Sequence, residues 1–300
     1  MAVTTVAVVA HLKKTFGGGL DELRRQITGQ PGIDRLLWYE VKKSRKAPKK
    51  VRQAVKDGAD VVFAWGGDGL VQRCADTLVN RDVELAIVPA GTANLLAANL
   101  GIPRDIAEAV RIGLQGGRRK LDLGHVNGEH FAVMAGAGFD AAMIADADRS
   151  LKKRAGRLAY VATAVRHVRD RPSRVRIAID GVDWFDGAAT CVLLGNVGTI
   201  SGGIPAFDAA EPDDGWLDVG VCTARGAIEW SRTLGRMVAG RASDSRFVRT
   251  TRAKTVDVRL SQPMTYELDG GARDTVKRLK VSVVPAAISV RVPVEQPAAS

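Results

Sequence analysis

Over roughly its first hundred residues the chain alternates short apolar runs with amphipathic stretches, a rotation that leaves little but a parallel sheet covered by helices on both faces. Residues 6–10 (Val-Ala-Val-Val-Ala) form a run of the kind buried in such a sheet. Gly17, Gly18 and Gly19 follow, then a helical pattern through Leu20, Leu23 and Ile27. Residues 36–41, 61–65 and 85–88 read as further strands, and residues 49–56, 70–79 and 92–100 as helices. In sheets of this type ligands bind beyond the carboxyl ends of the strands. Two turns fall there: Gly66-Gly67-Asp68-Gly69 and Pro89-Ala90-Gly91-Thr92-Ala93-Asn94.

Beyond residue 121 the pattern changes. Val175, Ile177 and Ile179 alternate with Arg174, Arg176 and Ala178 before the hairpin turn Asp180-Gly181. Residues 189–194, 216–222, 256–260 and 279–284 are strand candidates, and only 151–168 and 227–238 look helical. The expected organisation is an α/β domain of residues 1–121, rejoined by 286–300, and a β-rich domain of residues 122–285. The strand at 288–292 is the candidate return, and the tail from Glu295 is expected to fray.

The charge balance bears on partners. Lys and Arg number 44 against 33 Asp and Glu, a formal net charge of +11. That excess favours polyanions: nucleotide phosphates, nucleic acid or an anionic membrane leaflet. Aromatic residues make up only 5% and form no stacking platform, so nucleic acid is the weakest of the three. Cys74, Cys191 and Cys222 are too scattered for a disulfide framework or zinc site, and the four histidines form no metal-ligand pattern. Lys13 and Lys14 interrupt the only apolar run near the N-terminus, which argues against a signal peptide. The sequence holds no run of about 20 apolar residues, so the expectation is a cytoplasmic protein that meets lipid peripherally.

In the first turn, three glycines let the backbone approach a phosphate chain, and a helix N-terminus follows. An aspartate there repels phosphate unless a metal ion bridges the two, or unless it takes a proton from an attacking hydroxyl. The plain alternative is an ordinary Gly-Asp turn. In the second turn Thr92 suits a helix cap and Gly91 a backbone bend towards the same crevice. Neither turn matches the P-loop or dinucleotide fingerprint.

Together these two turns resemble the diacylglycerol kinase and sphingosine kinase catalytic family. The later marks keep that family's order: Leu121-Asp122-Leu123-Gly124, Gly136-Ala137-Gly138-Phe139-Asp140, Gly156-Arg157-Leu158-Ala159-Tyr160, Gly195-Asn196, Asp213-Asp214-Gly215-Trp216-Leu217-Asp218 and Leu268-Asp269-Gly270. The resemblance implies a phosphofructokinase-like parallel α/β domain followed by a β-sandwich domain, with ATP in the cleft between them. It places Gly66, Gly67, Gly69, Gly91 and Thr92 on the nucleotide phosphates, with Asn94 of the same turn as a further nucleotide-binding residue. Asp68 falls in the Mg2+ and catalytic network, supported by Asp122, and Asp214 matches a structural metal-binding aspartate. Lys153 falls where relatives place a phosphate-binding cation, and Asp146, or failing that Asp148, where an acidic residue meets the lipid head group.

Four departures from the family pattern stand out. Leu70 replaces a threonine, Arg73 a glutamate, and His11-Leu12 an Asn-Pro pair, which leaves Lys14 and Gly17–Gly19 to form the first nucleotide loop. Gly271 stands where the family carries the glutamate proposed as general base. Asp68 is one substitute; Asp269 is another, preferred over Glu267 because alternation puts both on one strand face with Asp269 nearer the turn. Two basic stretches remain. The run Lys42, Lys43, Arg45, Lys46, Lys49 and Lys50, with Ser44 among them, is either a loop near the phosphates or a solvated charge run. Residues 149–171 carry basic charge around an apolar stripe, read first as a helix packed on the sandwich and otherwise as one lying on a membrane.

The expected activity is phosphoryl transfer from ATP to the hydroxyl of diacylglycerol, a sphingoid base or another long-chain alcohol. The expected partners are ATP, a lipid alcohol and an anionic membrane surface, with a homodimer left open. An NAD kinase is the next reading, which the Pro89–Asn94 turn and Asp213–Asp218 segment oppose. A nucleotide or lipid sensor without turnover is a third, favoured by Gly271.

Overall fold

The computed structural model describes residues 5–138, 172–200, 204–207, 210–241 and 244–294. The chain divides into two compact units, Met1–Leu121 with Ala286–Ser300, and Asp122–Pro285.

The first unit is built on a parallel sheet. Its elements are β1 (Thr5–His11), α1 (Gly19–Thr28), β2 (Arg35–Val41), α2 (Ala47–Lys56), β3 (Val61–Gly66), α3 (Asp68–Leu78), β4 (Glu84–Pro89), α4 (Leu95–Asn99) and α5 (Ile106–Gln115). The strands lie in the order β2-β1-β3-β4, all parallel, and the chain's last strand adds beside β4 through Val290 opposite Leu85. Residues 6–10 and 61–65 are fully buried, as a sheet sandwiched between helices requires. The helix α5 is not among the expected helices, although Ile106, Ala109, Val110 and Gly113 recur at helical spacing and are buried. Asp105 starts it, its side chain accepting the N–H of Glu108 at 2.8 Å. Gly113 lets it lie close on β3, since a Cβ there would fall 2.3 Å from the Phe63 ring.

The second unit is antiparallel. Its elements are β5 (Gly117–Val126, entering from the first unit), β6 (Glu129–Phe131), β7 (Met134–Ala137), β8 (Ser173–Ile179), β9 (Val182–Ala189), β10 (Cys191–Gly195), β11 (Thr199–Ile200), β12 (Ile204–Pro205), β13 (Leu217–Cys222), α6 (Gly226–Val238), β14 (Val248–Ala253), β15 (Thr255–Leu268) and β16 (Gly271–Val292). The first half of β15 pairs with β8, and its second half with β7, across an irregularity between Arg259 and Met264. One long strand thus serves two sheet faces, the usual way a sandwich turns its corner. Val175, Ile177, Val192, Leu194, Val219, Val256 and Leu279 share the core between those faces. The expected strands at 279–284 and 288–292 are one continuous strand, β16. The Asp180-Gly181 hairpin stands, with both residues at positive φ (49° and 87°).

Candidate active site

In the first unit the chain runs from β1 outward to β2, then returns to the other side of β1 as β3. The carboxyl ends of β1 and β3 therefore flank a topological switch point, where connections diverge and leave a crevice. The loop after β1 carries Lys14, and the indole N–H of Trp65, the residue before Gly66, donates to the Lys14 carbonyl at 3.3 Å. Lys14 and the first glycine turn are thus brought together. Burial, and then the charge of Lys14, lower the pKa of His11 at the same strand end. The 3-10 turn Ser44–Lys46 packs against α3, which brings half-buried Ser44 towards the same end of the sheet.

The two glycine turns touch. Gly66 lies opposite Pro89 at the ends of β3 and β4, and the Ala90 N–H donates to the Gly66 carbonyl at 2.9 Å. A Cβ on Gly91 would fall 2.4 Å from the Gly67 Cα, so no side chain fits between the turns. A Cβ on Gly69 would meet nothing within 4 Å, so that face of the turn is open. The result is bare backbone at the N-terminus of an 11-residue helix, α3.

Asp68 is the carboxylate at this meeting point. It accepts the N–H of Asn94 at 2.9 Å and that of Leu95 at 2.5 Å. It thereby caps α4 from the neighbouring turn. The helix expected to start at Thr92 begins instead at Leu95, because Asn94 sits in the left-handed region at φ 50° and breaks the path. Thr92 is half-buried and is not the cap. Asn94 is buried; its Oδ1 accepts the Gly91 N–H at 2.8 Å and its Nδ2 donates to the Gly91 carbonyl at 3.1 Å. The side-chain amide expected on nucleotide clamps the turn instead. Burial raises the Asp68 carboxyl above its ordinary pKa, against the lowering pull of the α4 amides. An anion there gains from a cation or a proton, so Asp68 is a fitting single carboxylate for Mg2+, an ion that takes one or two carboxylates beside nucleotide phosphates.

The aspartates singled out in the second unit serve the chain itself. Asp269 is 2% exposed and accepts three backbone N–H groups, from Ala132, Val133 and Met134, at 2.8, 2.9 and 2.9 Å. A base must reach the substrate; Asp269 is sealed off by burial and holds three backbone amides, whereas Asp68 accepts two but stays half-buried. Asp269 is corrected from catalytic base to latch. It also lies in the turn after β15 at φ 46°, so strand alternation with Glu267 does not hold. Glu267 is the chemically unusual carboxyl: 7% exposed, its pKa is pushed up to about 8, first by burial and then by the charge of Asp269.

The expected metal ligands of this unit are occupied as well. Asp122 accepts the Gly215 N–H at 2.6 Å, which ties β5 to the loop before β13. Asp214 accepts the Trp216 N–H at 2.9 Å and forms an ion pair with Arg252. The guanidinium supplies the positive charge that a metal would bring, so Asp214 does not fit a structural ion here. Among the described residues no three His, Cys, Asp or Glu side chains cluster closely enough to share one. Gly271 opens β16 opposite Leu268, and a Cβ there would lie 2.9 Å from Arg273, whose guanidinium donates twice to Glu129 at 2.8 Å. Arg252, Arg273 and Asn94 carried no sequence signal for these roles, because each depends on a partner far along the chain or on a left-handed backbone. Lys153, Asp146, Asp148 and the basic stretch 149–171 lie outside the described residues.

Residues 30–126 match the diacylglycerol kinase catalytic domain, and residues 133–292 the YegS C-terminal NAD kinase beta sandwich-like domain. The chain belongs to that bacterial lipid kinase family. It is 31% identical to a Pseudomonas aeruginosa protein named "Probable lipid kinase YegS-like", over 97% of this chain and 95% of that one. It is 30% identical to a Bacillus subtilis diacylglycerol kinase over 75% of each chain. A crystal structure of a diacylglycerol kinase from Bacillus anthracis superposes with a TM-score of 0.76 over 100% of both chains, at 21% identity, which speaks for the fold. In this lipid kinase family member the expected N-terminal α/β domain and C-terminal β-sandwich domain both stand. None of its described helices is long and apolar enough to cross a membrane.

Proposed function

We propose that this family member transfers the γ-phosphoryl group of ATP to the hydroxyl of a lipid alcohol, with diacylglycerol the leading acceptor and a sphingoid base or long-chain alcohol the next. The observation that carries the reading is the contact between Gly67 and Gly91, with Asp68 beside it. Phosphoryl transfer asks chiefly for in-line positioning and charge neutralisation. Gly66, Gly67, Gly69, Gly91 and Thr92 supply backbone for the phosphates, Lys14 and Ser44 lie at the same sheet end, and Lys153 is a further candidate cation. When bound, Mg2+ would neutralise phosphate charge, with Asp68 as its protein ligand.

Asp68 is also the proton acceptor in this reading, since burial makes its carboxylate more basic. The loose transition state asks little of a base, and general-base help is worth about 10²–10⁴ in rate. The reaction is placed at an anionic cytoplasmic membrane surface, to which a net charge of +11 is suited.

The test is to incubate the protein with labelled ATP, Mg2+ and a panel of lipid alcohols in mixed micelles and to separate the lipid products. A labelled lipid phosphate from the parent, lost in Asp68→Asn, supports the reading. ATP binding without turnover on any lipid replaces it with a sensor. Phosphorylation of NAD in preference to every lipid replaces it with a nucleotide kinase.

A further inference from the structure

On the far side of the second unit's small core from β10 and β13, α6 buries Trp230, Thr233 and Leu234 and turns its other face outward. That face and the segment leading into β14 line a cavity of about 630 Å³. Arg232, Arg236, Arg241 and Arg246 stand in its wall against one carboxylate, Asp244.

Asp244 is already committed. Its carboxylate pairs with Arg241 at 2.7 Å, and its carbonyl accepts Arg236 at 2.6 Å, which fixes both guanidinium groups in place. Arg246 is stacked over the Phe247 ring at 4.8 Å. Arg232 is exposed in the same wall. Four arginines line one concavity against a single carboxylate, an excess of positive charge that a bound anion would relieve. Their planar, multiply donating heads match a phosphate group more closely than a single carboxylate.

The surroundings select the source of that phosphate. Ile228 is 70% exposed on α6, one turn before Arg232, and Gly235 and Ala239 continue the same outer face without a polar side chain. A basic pocket beside an exposed apolar anchor suits a bilayer surface better than a solute.

We propose that the pocket formed by Arg232, Arg236, Arg241 and Arg246 holds the phosphate of an anionic lipid headgroup and seats the second unit on a membrane. Only the choice of a lipid rests on the function proposed above; the pocket is built from residues other than the glycine turns and Asp68.

The test is sedimentation of the full chain, without ATP, with vesicles of phosphatidylcholine alone or with phosphatidic acid or phosphatidylglycerol added. The double variant Arg232→Ala/Arg246→Ala spares the two arginines tied to Asp244. Its affinity for anionic vesicles is expected to fall about thirtyfold, at about fivefold per surface arginine. Arg25→Ala/Lys56→Ala, the same charge loss on exposed positions of α1 and α2, is expected to change binding several-fold less. Both double variants should keep their melting temperature and their turnover of a water-dispersed short-chain alcohol. Equal losses in the two double variants would show diffuse charge attraction and no pocket. Inorganic phosphate bound through these arginines by a parent that does not sediment with anionic vesicles would make the ligand a solute, and tighter capture of a short RNA through the same arginines would make it a nucleic acid. Each of these results overturns the proposal, as does a parent that ignores anionic vesicles. Kinase activity in micelles without vesicle binding would leave the enzymatic reading standing and remove this one.

Discussion

As motifs, the glycine turns of the first unit and the aspartate turns of the second unit resemble each other, yet they work in opposite ways. At Gly67 and Gly91 the chain removes side chains so that two backbones meet, and Gly69 leaves one face open. At Asp269 the chain adds a side chain so that three buried N–H groups find an acceptor. Asp122 and Asp214 likewise close loops onto strands and onto Arg252. Only Asp68 stands between the two modes, capping α4 while burial works against its charge. An acidic residue in a motif is therefore read by what its oxygens already accept.

The contrast can be broken by substitutions, taken in order of expected change in unfolding free energy. Asp269→Ala strands three buried amides, each unmet donor costing about 1–3 kcal/mol, so a loss on the order of 4 kcal/mol is expected. Chemical denaturation measures it, and turnover should fall only with the folded fraction. An unchanged midpoint with turnover abolished would return Asp269 to the role of base.

Glu267 tests burial from the other side. Its pKa is about 8 in the folded protein against 4.5 in the unfolded chain. The folded state keeps a proton that the unfolded state has released, so its contribution is fully present below about pH 4.5 and is lost as pH rises through about 8. Glu267→Gln mimics the protonated form and should remove that slope. At about 1.4 kcal/mol per pKa unit the variant should exceed the parent by on the order of 4 kcal/mol at pH 8. Parallel stability curves for the two proteins would show Glu267 to be ordinary.

Gly91→Ala forces a methyl group into the Gly67 backbone and is expected to cost about 1–3 kcal/mol, with ATP affinity lost alongside. Gly69→Ala has open space and should leave the melting temperature almost unchanged, so any loss of nucleotide binding there reports contact with the ligand. Asp68→Asn retains one acceptor for the α4 amides and should cost about 1 kcal/mol, yet turnover should disappear. Activity within a few-fold of the parent would end the catalytic assignment. Arg252→Ala breaks a partly exposed pair and should cost less than about 1 kcal/mol. The parent's stability should ignore chelator, since the guanidinium already neutralises Asp214; a chelator-dependent melting temperature would restore a metal to that loop.

By itself the sequence determined the alternation of strands and helices in the first unit, the antiparallel second unit with its Asp180-Gly181 hairpin, and the two glycine turns at the strand ends. Those features are written in short-range periods and in residue types whose backbone freedom is local. The tertiary structure alone decided the rest. It set Gly67 against Gly91, gave the α4 cap to Asp68 instead of Thr92, and paired Arg252 with Asp214. It also placed Cys191 directly opposite Cys222, two cysteines the sequence showed only as scattered. The physical reason is that a carboxylate's role depends on which donors stand within about 3 Å of it. For Asp269 those donors lie 135–137 residues away in the chain, a distance over which no pattern in the sequence carries information.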